Sequence, residues 1–255
     1  MHIKHLPVIG SFIKLLDMKI SEHGLQIGLL QLLKRSATTF QIQGITKETE
    51  EILRTKPVVI VAHHPFDAEV LCVLAALPPQ ENTYLVINNS YVGIVPSADK
   101  HLIPVYISHH RNGLDKRIFL EKFLLKFLPS KFFSEEMEHE KNKESIKFAS
   151  QKLSENGTVV IFPNRRSPNG KWYNGVGYMI TGVIKEQEVY VIPVVVHGTS
   201  NWDYLRIVPG GGKLLKPLSV YFGKPISSKQ IHKNNPTGIT RFLEEKYNKW
   251  LPTVG

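Results

Sequence analysis

The sequence predicts an α/β fold, in which a mostly parallel or mixed central sheet is flanked by helices and preceded by an N-terminal helical hairpin. Two observations support this class. Short apolar runs rich in β-branched residues, such as 58–62 and 191–196, are typical of strands buried on both faces of a sheet. These runs alternate along the chain with helical patterns, which is the order expected of an α/β domain.

The predicted elements follow one another in a regular order. Two amphipathic patterns in 6–35, separated by Gly24, predict the hairpin, and 40–44 alternates as an edge strand would. Segment 46–54 is charged and compatible with a helix. Further strands are expected at 58–62, 84–87, 103–107, 159–162, 189–196 and 218–222, and further helices at 67–77, 114–133, 141–155 and 237–250. Gly157 is expected to end the helix at 141–155 as its C′ residue.

The chain carries a large excess of positive charge. It has 32 Lys and Arg against 22 Asp and Glu, so its formal net charge is +10. Such a charge indicates an anionic partner. The candidates are a nucleic acid, an anionic membrane surface and a phosphorylated substrate. Lys predominates and no RNA- or DNA-binding motif is present, which argues against nucleic acid. Segment 114–133 predicts a basic amphipathic helix. Such a helix can lie on a membrane surface, or it can pack against the core while its Lys side chains extend to solvent.

Cysteine content and apolar runs indicate the compartment. Cys72 is the single cysteine, so no intramolecular disulfide can form, which fits a reducing compartment. The apolar runs are far shorter than the roughly 18 residues that a membrane-spanning helix needs. The first residues show no long apolar segment with a cleavage site. We therefore expect a cytoplasmic protein.

Polar residues directly follow the buried run at 58–62. His63 and His64 come first, and the carboxylates Asp67 and Glu69 enter the next helix. A histidine held by a carboxylate can take a proton from a hydroxyl, and without a neighbouring serine or cysteine that hydroxyl would belong to the substrate. One alternative is that His63 ends the strand while the carboxylates complement the helix dipole. Another is a metal site from His63, His64 and Asp67, for which no distant fourth ligand is identified.

A second polar segment follows the run at 159–162. It reads Pro163-Asn164-Arg165-Arg166-Ser167. Two adjacent arginines in a loop at the end of a strand make a fork suited to phosphate oxygens. The alternative is a solvated pair without a ligand.

Together these segments resemble the glycerolipid acyltransferase family, typified by 1-acylglycerol-3-phosphate acyltransferase. The family has Asn-His-x4-Asp after one buried strand, Phe-Pro-Glu-Gly-x-Arg-Ser after another, and a later Ile-Pro-Val strand. The counterparts here, in the same order, are His64-x4-Glu69, LIPVYISHHR at 102–111, FPNRRS at 162–167, VYVIPVVV at 189–196 and SVYFGKPI at 219–226. The resemblance covers residues 40–226.

The resemblance implies roles for the residues of the first block. Alignment of the blocks places His63 at the family's Asn and Glu69 at its Asp, and a Glu at this position also resembles the lipid A acyltransferases. His64 would then be the catalytic base, and Glu69 would orient it. Asp67 is the second candidate for the orienting carboxylate.

The other blocks imply a substrate-binding set and depart more from the family. Asn164 replaces the family's Glu and the loop lacks the Gly, so either Arg165 or Arg166 stands at the phosphate-binding position. The expected arginine of the second block falls near Ile107, and Arg111 would reach in from further along. Ser167 follows the arginines as in the family. The expected substrate-binding residues are Arg166, Arg165, Arg111, Asn164 and Ser167.

The reaction implied by the resemblance is transfer of a fatty acyl chain from acyl-CoA or acyl carrier protein. The acceptor would be a hydroxyl of a glycerophospholipid precursor, such as lysophosphatidic acid or glycerol 3-phosphate. No metal or other cofactor is implied. Residues 1–38 would form an amphipathic helical segment and 39–255 the acyltransferase domain. Segments 6–35 and 114–133 would bind an anionic membrane surface, and the protein would lie peripherally on the inner face of a membrane.

Two other functions compete with acyl transfer. The chain is alternatively a noncatalytic membrane- or lipid-binding module that retains the acyltransferase fold after its third block has changed. Thioester hydrolysis without an acceptor is a third possibility. A histidine and a carboxylate kept five positions apart favour catalysis.

Overall fold

The structure is a computed structural model that describes residues 7–106, 133–164, 170–184, 186–232 and 235–254. The helices of this part are α1 (Pro7–His23), α2 (Leu25–Arg35), α3 (Lys47–Thr55), α4 (Ala68–Ala76), the one-turn α5 (Pro96–Asp99), α6 (Glu135–Ser154), α7 (Gly175–Thr181) and α8 (Pro236–Trp250). The strands are β1 (Phe40–Gln43), β2 (Val58–Ala62), β3 (Thr83–Asn88), β4 (Leu102–Val105), β5 (Thr158–Ile161), β6 (Tyr190–His197), β7 (Leu218–Phe222) and β8 (Ile226–Ser227).

The described strands form one sheet in the order β1-β7-β6-β2-β5-β3-β4, with β8 paired to β6. Strands β6, β2, β5, β3 and β4 are mutually parallel. Strand β7 runs antiparallel to β6, and β1 is parallel to β7 at the sheet edge. The predicted fold class is therefore confirmed, including the N-terminal helical hairpin and the edge strand near residue 40.

Helices cover both faces of the sheet. The alternating side chains of β2 show the division: Ile60 packs with residues of α1 to α4, whereas Val59 packs with residues of α6, α7 and α8. All five residues of β2 are buried. Leu29 of α2 belongs to the same core as Ile60, so the N-terminal hairpin packs directly on the main sheet.

The structure differs from the sequence prediction in a few elements. Helix α6 begins at Glu135 rather than 141 and ends in a turn where Asn156, not Gly157, has a positive φ of 59°. The expectation that Gly157 is the C′ residue is thus wrong, because asparagine also tolerates the left-handed conformation. Helix α7 was not predicted, since its seven residues span too few turns for a periodic pattern.

Two expectations concern the membrane: a basic helix at 114–133, and apolar runs too short for a membrane-spanning helix. The predicted basic helix at 114–133 falls, up to residue 132, outside the described residues. Among the helices that the structure describes, none combines the length and apolar character needed to cross a bilayer.

Close contact between α7 and α8 depends on Gly177. Its amide donates to Thr240 Oγ1 at 3.2 Å, and a methyl group on its Cα would lie 1.9 Å from the carbonyl oxygen of Pro236. Because neither backbone can accommodate that overlap without shifting, Gly177→Ala should lower the free energy of unfolding by about 1–3 kcal/mol. Urea denaturation measures the change.

Gly175→Ala is the matched control, on the same helix. A methyl group there would meet only Ile161 Cδ1, at 3.9 Å, which is an ordinary contact. Its unfolding free energy should stay within about 0.5 kcal/mol of wild type. Equal denaturation midpoints for the two variants would show that α7 and α8 are not held at this distance.

Candidate active site

The carboxyl ends of three neighbouring strands bring the candidate residues to one edge of the sheet. Strand β2 lies between β5 and β6 and is parallel to both. His63 and His64 follow β2, residues 162–164 follow β5, and Thr199 comes two residues after β6. In open α/β sheets this edge is where ligands bind.

His64 lies beside the segment that follows β5. Its ring centroid is 5.0 Å from that of Phe162, and the two rings are nearly perpendicular at 80°. The side chain is only partly buried. The candidate base and the Phe-Pro-Asn segment, which are almost 100 positions apart in the chain, are therefore neighbours in the fold.

His63 is held at the end of β2 by the core. Its amide donates to Tyr247 Oη at 3.1 Å, and the Tyr247 hydroxyl donates to the carbonyl of Val194 at 2.9 Å. Burial raises the pKa of Tyr247, so the phenol stays neutral and keeps this donor. The backbone of His63 thus connects β2, β6 and α8, as expected of a residue that ends a buried strand.

Glu69 is fully buried in the first turn of α4. Its Oε2 accepts from the amide of Phe66 at 3.0 Å, and its Oε1 accepts from the hydroxyl of Thr199. Burial raises the pKa of Glu69 to about 7, although both hydrogen bonds act to lower it. The described hydrogen bonds of this carboxylate do not reach His64; they fix the turn that follows it.

Asp67 lies in a different environment from Glu69. It is exposed, and its Oδ2 accepts from the hydroxyl of Tyr204 at 3.2 Å. Its side chain makes no capping hydrogen bond to α4, although it occupies the N-cap position. The two candidate carboxylates are thus separated, one in the core and one at the surface.

Only part of the expected substrate-binding set is described. Asn164 is 7% exposed, and its Oδ1 accepts no hydrogen bond within the described part of the chain. Arg165, Arg166, Ser167 and Arg111 lie outside the described residues, so their roles stay predictions. The described residues also contain no cluster of three or more His, Cys, Asp or Glu side chains that could hold a metal ion.

A cavity of about 190 Å³ begins at the residue after His64 in the chain. Residues 65–68, which directly follow the histidine, form one wall. The rest comes from α1, α2, α4, β7 and the segment after β6. Its apolar lining consists of Phe12, Leu29, Leu32, Leu33, Pro65, Phe66, Ala68, Leu71, Cys72, Ile207 and Leu218. Burial raises the pKa of Cys72 to about 12, so its thiol is unreactive at neutral pH.

The residues after β6 also belong to the site, although they were not predicted to do so. Thr199 holds Glu69, while Asp203 and Arg206 form a buried ion pair with a 2.9 Å contact that shapes the cavity wall. Gly198 makes this turn possible, because its φ is +88° and a methyl group would lie 1.9 Å from the Pro217 carbonyl oxygen. Thr199 follows the buried strand β6, so the tendency of polar residues at strand ends to form sites would have identified it from the sequence.

The fold and site define an α/β protein with a polar cluster at the carboxyl edge of its central strands. Among solved structures, the chain is similar to the 1-acyl-sn-glycerophosphate (LPA) acyltransferase PlsC from Thermotoga maritima. The identity is 15% and the TM-score 0.46, over 96% of this chain and 88% of that chain. No family model matches the chain, and no curated protein matches it. At this identity and TM-score the likeness concerns the fold alone.

The buried carboxyl of Glu69 predicts a specific pH dependence of stability. Its pKa is about 7 in the folded protein and near 4.5 when unfolded, so the folded state holds the proton more tightly. Stability should therefore fall as the pH rises through this window, by up to about 3 kcal/mol from this group. Glu69→Gln should remove this component. Unfolding free energies of both proteins across the window give the difference, in which all other titrating groups cancel.

Thr199→Val is the control that tests how the Thr199 hydrogen bond affects the pKa of Glu69. It removes a donor that lowers the pKa of folded Glu69, so the upper end of the pH window should rise and the stability lost across the window should increase. Parallel pH profiles for wild type and Glu69→Gln would show that Glu69 has an ordinary pKa in the folded protein.

Proposed function

We propose that this protein is an acyltransferase that moves a fatty acyl chain from acyl-CoA or acyl carrier protein to a hydroxyl of a glycerophospholipid precursor. The observation that carries the proposal is the contact of His64 with Phe162 beside an apolar cavity. The same two segments carry the motifs that resemble the glycerolipid acyltransferases. Candidate acceptors are lysophosphatidic acid and glycerol 3-phosphate.

His64 would act as the general base. It takes the proton of the acceptor hydroxyl while the oxygen attacks the thioester carbonyl carbon. A carbon–oxygen bond forms, the carbon–sulfur bond breaks, and the proton passes from His64 to the departing thiolate. This chemistry requires no prosthetic group or metal.

Glu69 would position His64 through the intervening turn. The carboxylate holds the amide of Phe66, two residues after the histidine, and is itself held by Thr199. Asp67 remains the second candidate for a direct contact with the base. In either case the carboxylate acts on the histidine and does not contact the reacting carbonyl.

The acceptor would bind on the side of the 162–167 segment. Asn164 places a buried amide oxygen there, and such an oxygen is costly to bury unless it accepts a hydrogen bond. A substrate hydroxyl satisfies that requirement. Arg165 and Arg166, with Arg111 and Ser167, are proposed to bind the acceptor phosphate.

The cavity would hold the acyl chain. Its lining is mostly aliphatic and aromatic, and its wall at 65–68 adjoins the proposed base. A chain in this cavity would present its thioester at the end nearest His64. Because acylation of either candidate acceptor gives a lipid, we further propose that the protein works on the inner face of a membrane, from the cytoplasm.

The altered third block favours one alternative, a noncatalytic lipid-binding module. Asn164 stands in place of the family's Glu, and the loop is one residue short. Such a module would bind lipid in the same cavity but would not transfer an acyl group. Assays of transfer and of binding, carried out on the same protein, separate the two functions.

His64→Ala tests the proposed base. Loss of a general base should lower the rate of acyl transfer by about 10²–10⁴-fold, with little change in unfolding free energy. The assay follows labelled acyl-CoA and acyl carrier protein with a panel of lysolipids. His139→Ala, at an exposed position on α6, should keep full activity, and His63→Ala should have a smaller effect than His64→Ala. A His64→Ala enzyme within a few-fold of wild type would refute the mechanism.

Leu71→Trp tests the proposed acyl site. Leu71 lines the cavity and is 38% exposed, so a larger ring can be accommodated there without disturbing the core. It should lower kcat/KM for long acyl donors relative to short ones by about tenfold or more. Tyr178→Trp, on the exposed surface of α7, should leave this ratio unchanged. An unchanged ratio in Leu71→Trp would place the acyl chain elsewhere.

A further inference from the structure

Residues 200–216, here named the 200–216 loop, expose apolar side chains beside the cavity. Trp202 is 70% exposed and Leu214 is 79% exposed, the two highest values among large hydrophobic residues in the described part of the chain. Leu205 and Val208 are also exposed, at 39% and 46%. Four exposed apolar side chains within one short segment mark a candidate interaction surface.

The backbone of this loop is held firmly. Arg206 is buried and donates to Thr38 Oγ1 at 3.1 Å and to the carbonyl of Lys216 at 2.8 Å. The amide of Gly212 donates to the carbonyl of Ser36 at 2.8 Å, just after α2. The apolar side chains therefore point outward from a fixed scaffold, which reduces the entropy cost of binding a partner.

The surroundings of the loop are basic. Lys213 and Lys216 are exposed within it, and Lys34 and Arg35 are exposed on the adjoining end of α2. Segments 24–43 and 204–216 contain no Asp or Glu, and Asp203 is paired with Arg206. Helix α6, on the opposite face of the sheet, carries five glutamates and four lysines, so its charge is nearly balanced. The charge around the apolar residues thus fits an anionic partner.

The loop also forms a wall of the cavity. Asn201, Tyr204 and Ile207 line it, together with Leu29 and Leu33 of α2. A partner seated on Trp202 and Leu214 would therefore lie next to this wall. A bilayer is the partner that combines an anionic surface, an apolar interior and a supply of lipid chains.

We propose that the 200–216 loop inserts into anionic lipid bilayers, with Trp202 and Leu214 as the inserted residues and Lys213 and Lys216 at the headgroups. Tryptophan is favoured at the membrane interface because its ring is apolar and its N–H is polar. The inference rests on the proposed function in one respect: the proposed function explains why the protein would bind a bilayer, which is to deliver lipid to the cavity.

The test is flotation of the full chain with phosphatidylcholine vesicles that contain or lack phosphatidylglycerol. Wild type should bind the anionic vesicles more strongly. The double variant Trp202→Ala/Leu214→Ala should bind them at least about tenfold more weakly, because two inserted apolar side chains are lost. Lys213→Glu/Lys216→Glu should have a weaker preference for anionic vesicles, as wild type should in added salt, while Lys34 and Arg35 remain on the adjoining end of α2.

The control is Met137→Ala/Tyr178→Ala, which removes two side chains that are 49% and 52% exposed on α6 and α7. Its vesicle binding should equal that of wild type. Tryptophan emission gives a second readout. Anionic vesicles should shift it to the blue in wild type but not in Trp202→Phe, since Trp172 is buried and Trp250 packs against the core on the other face of the sheet.

Three results would overturn the proposal. One is vesicle binding by Trp202→Ala/Leu214→Ala that equals wild type, and another is the same loss in the control variant. The third is a wild-type dimer in gel filtration that the substitutions at 202 and 214 dissociate, which would assign the surface to a second copy of the chain.

Transfer between water-soluble short-chain substrates separates this proposal from the proposed function. If Trp202→Ala/Leu214→Ala keeps that activity but loses vesicle binding, both proposals stand. If wild type binds vesicles through the loop but transfers no acyl group, the membrane-binding proposal is supported and the acyltransferase proposal is refuted.

Discussion

Complete burial of β2 is the constraint on which the arrangement of the site depends. The strand has a parallel neighbour on each side and helices on both faces, so each of its five residues is apolar and none is more than 2% exposed. Polar side chains are excluded from the strand by their desolvation cost and can appear only where it ends. His63 and His64 stand at that point, and the ends of β5 and β6 supply their surroundings.

A buried polar network holds the other side of the site. The Arg206 guanidinium contacts Asp203, Thr38 and the carbonyl of Lys216, so three of its groups have partners despite burial. A buried ion pair adds little net stability, but its directed hydrogen bonds favour one backbone arrangement over others. Here that arrangement sets the cavity wall and places Thr199 against Glu69, which joins the wall to the turn beside His64.

Basic side chains are concentrated beside the cavity wall. Lys34, Arg35, Lys213 and Lys216 are exposed on α2 and the 200–216 loop, and Asp203, the acidic residue of these two segments, is paired with Arg206. The cavity lies on this basic side. The protein therefore attracts an anionic surface at the same place where apolar chains have access to the cavity.

The sequence alone determined the fold class, the order of the elements and the histidine at the end of β2, because burial on both faces leaves a local pattern in 58–62 and 190–197. It did not determine which strands are neighbours, so the contact between His64 and Phe162 came only from the tertiary structure. The environments of Asp67 and Glu69 were likewise indistinguishable in sequence. Only the fold buries Glu69 against Thr199, 130 positions away, because burial depends on what distant segments cover a side chain.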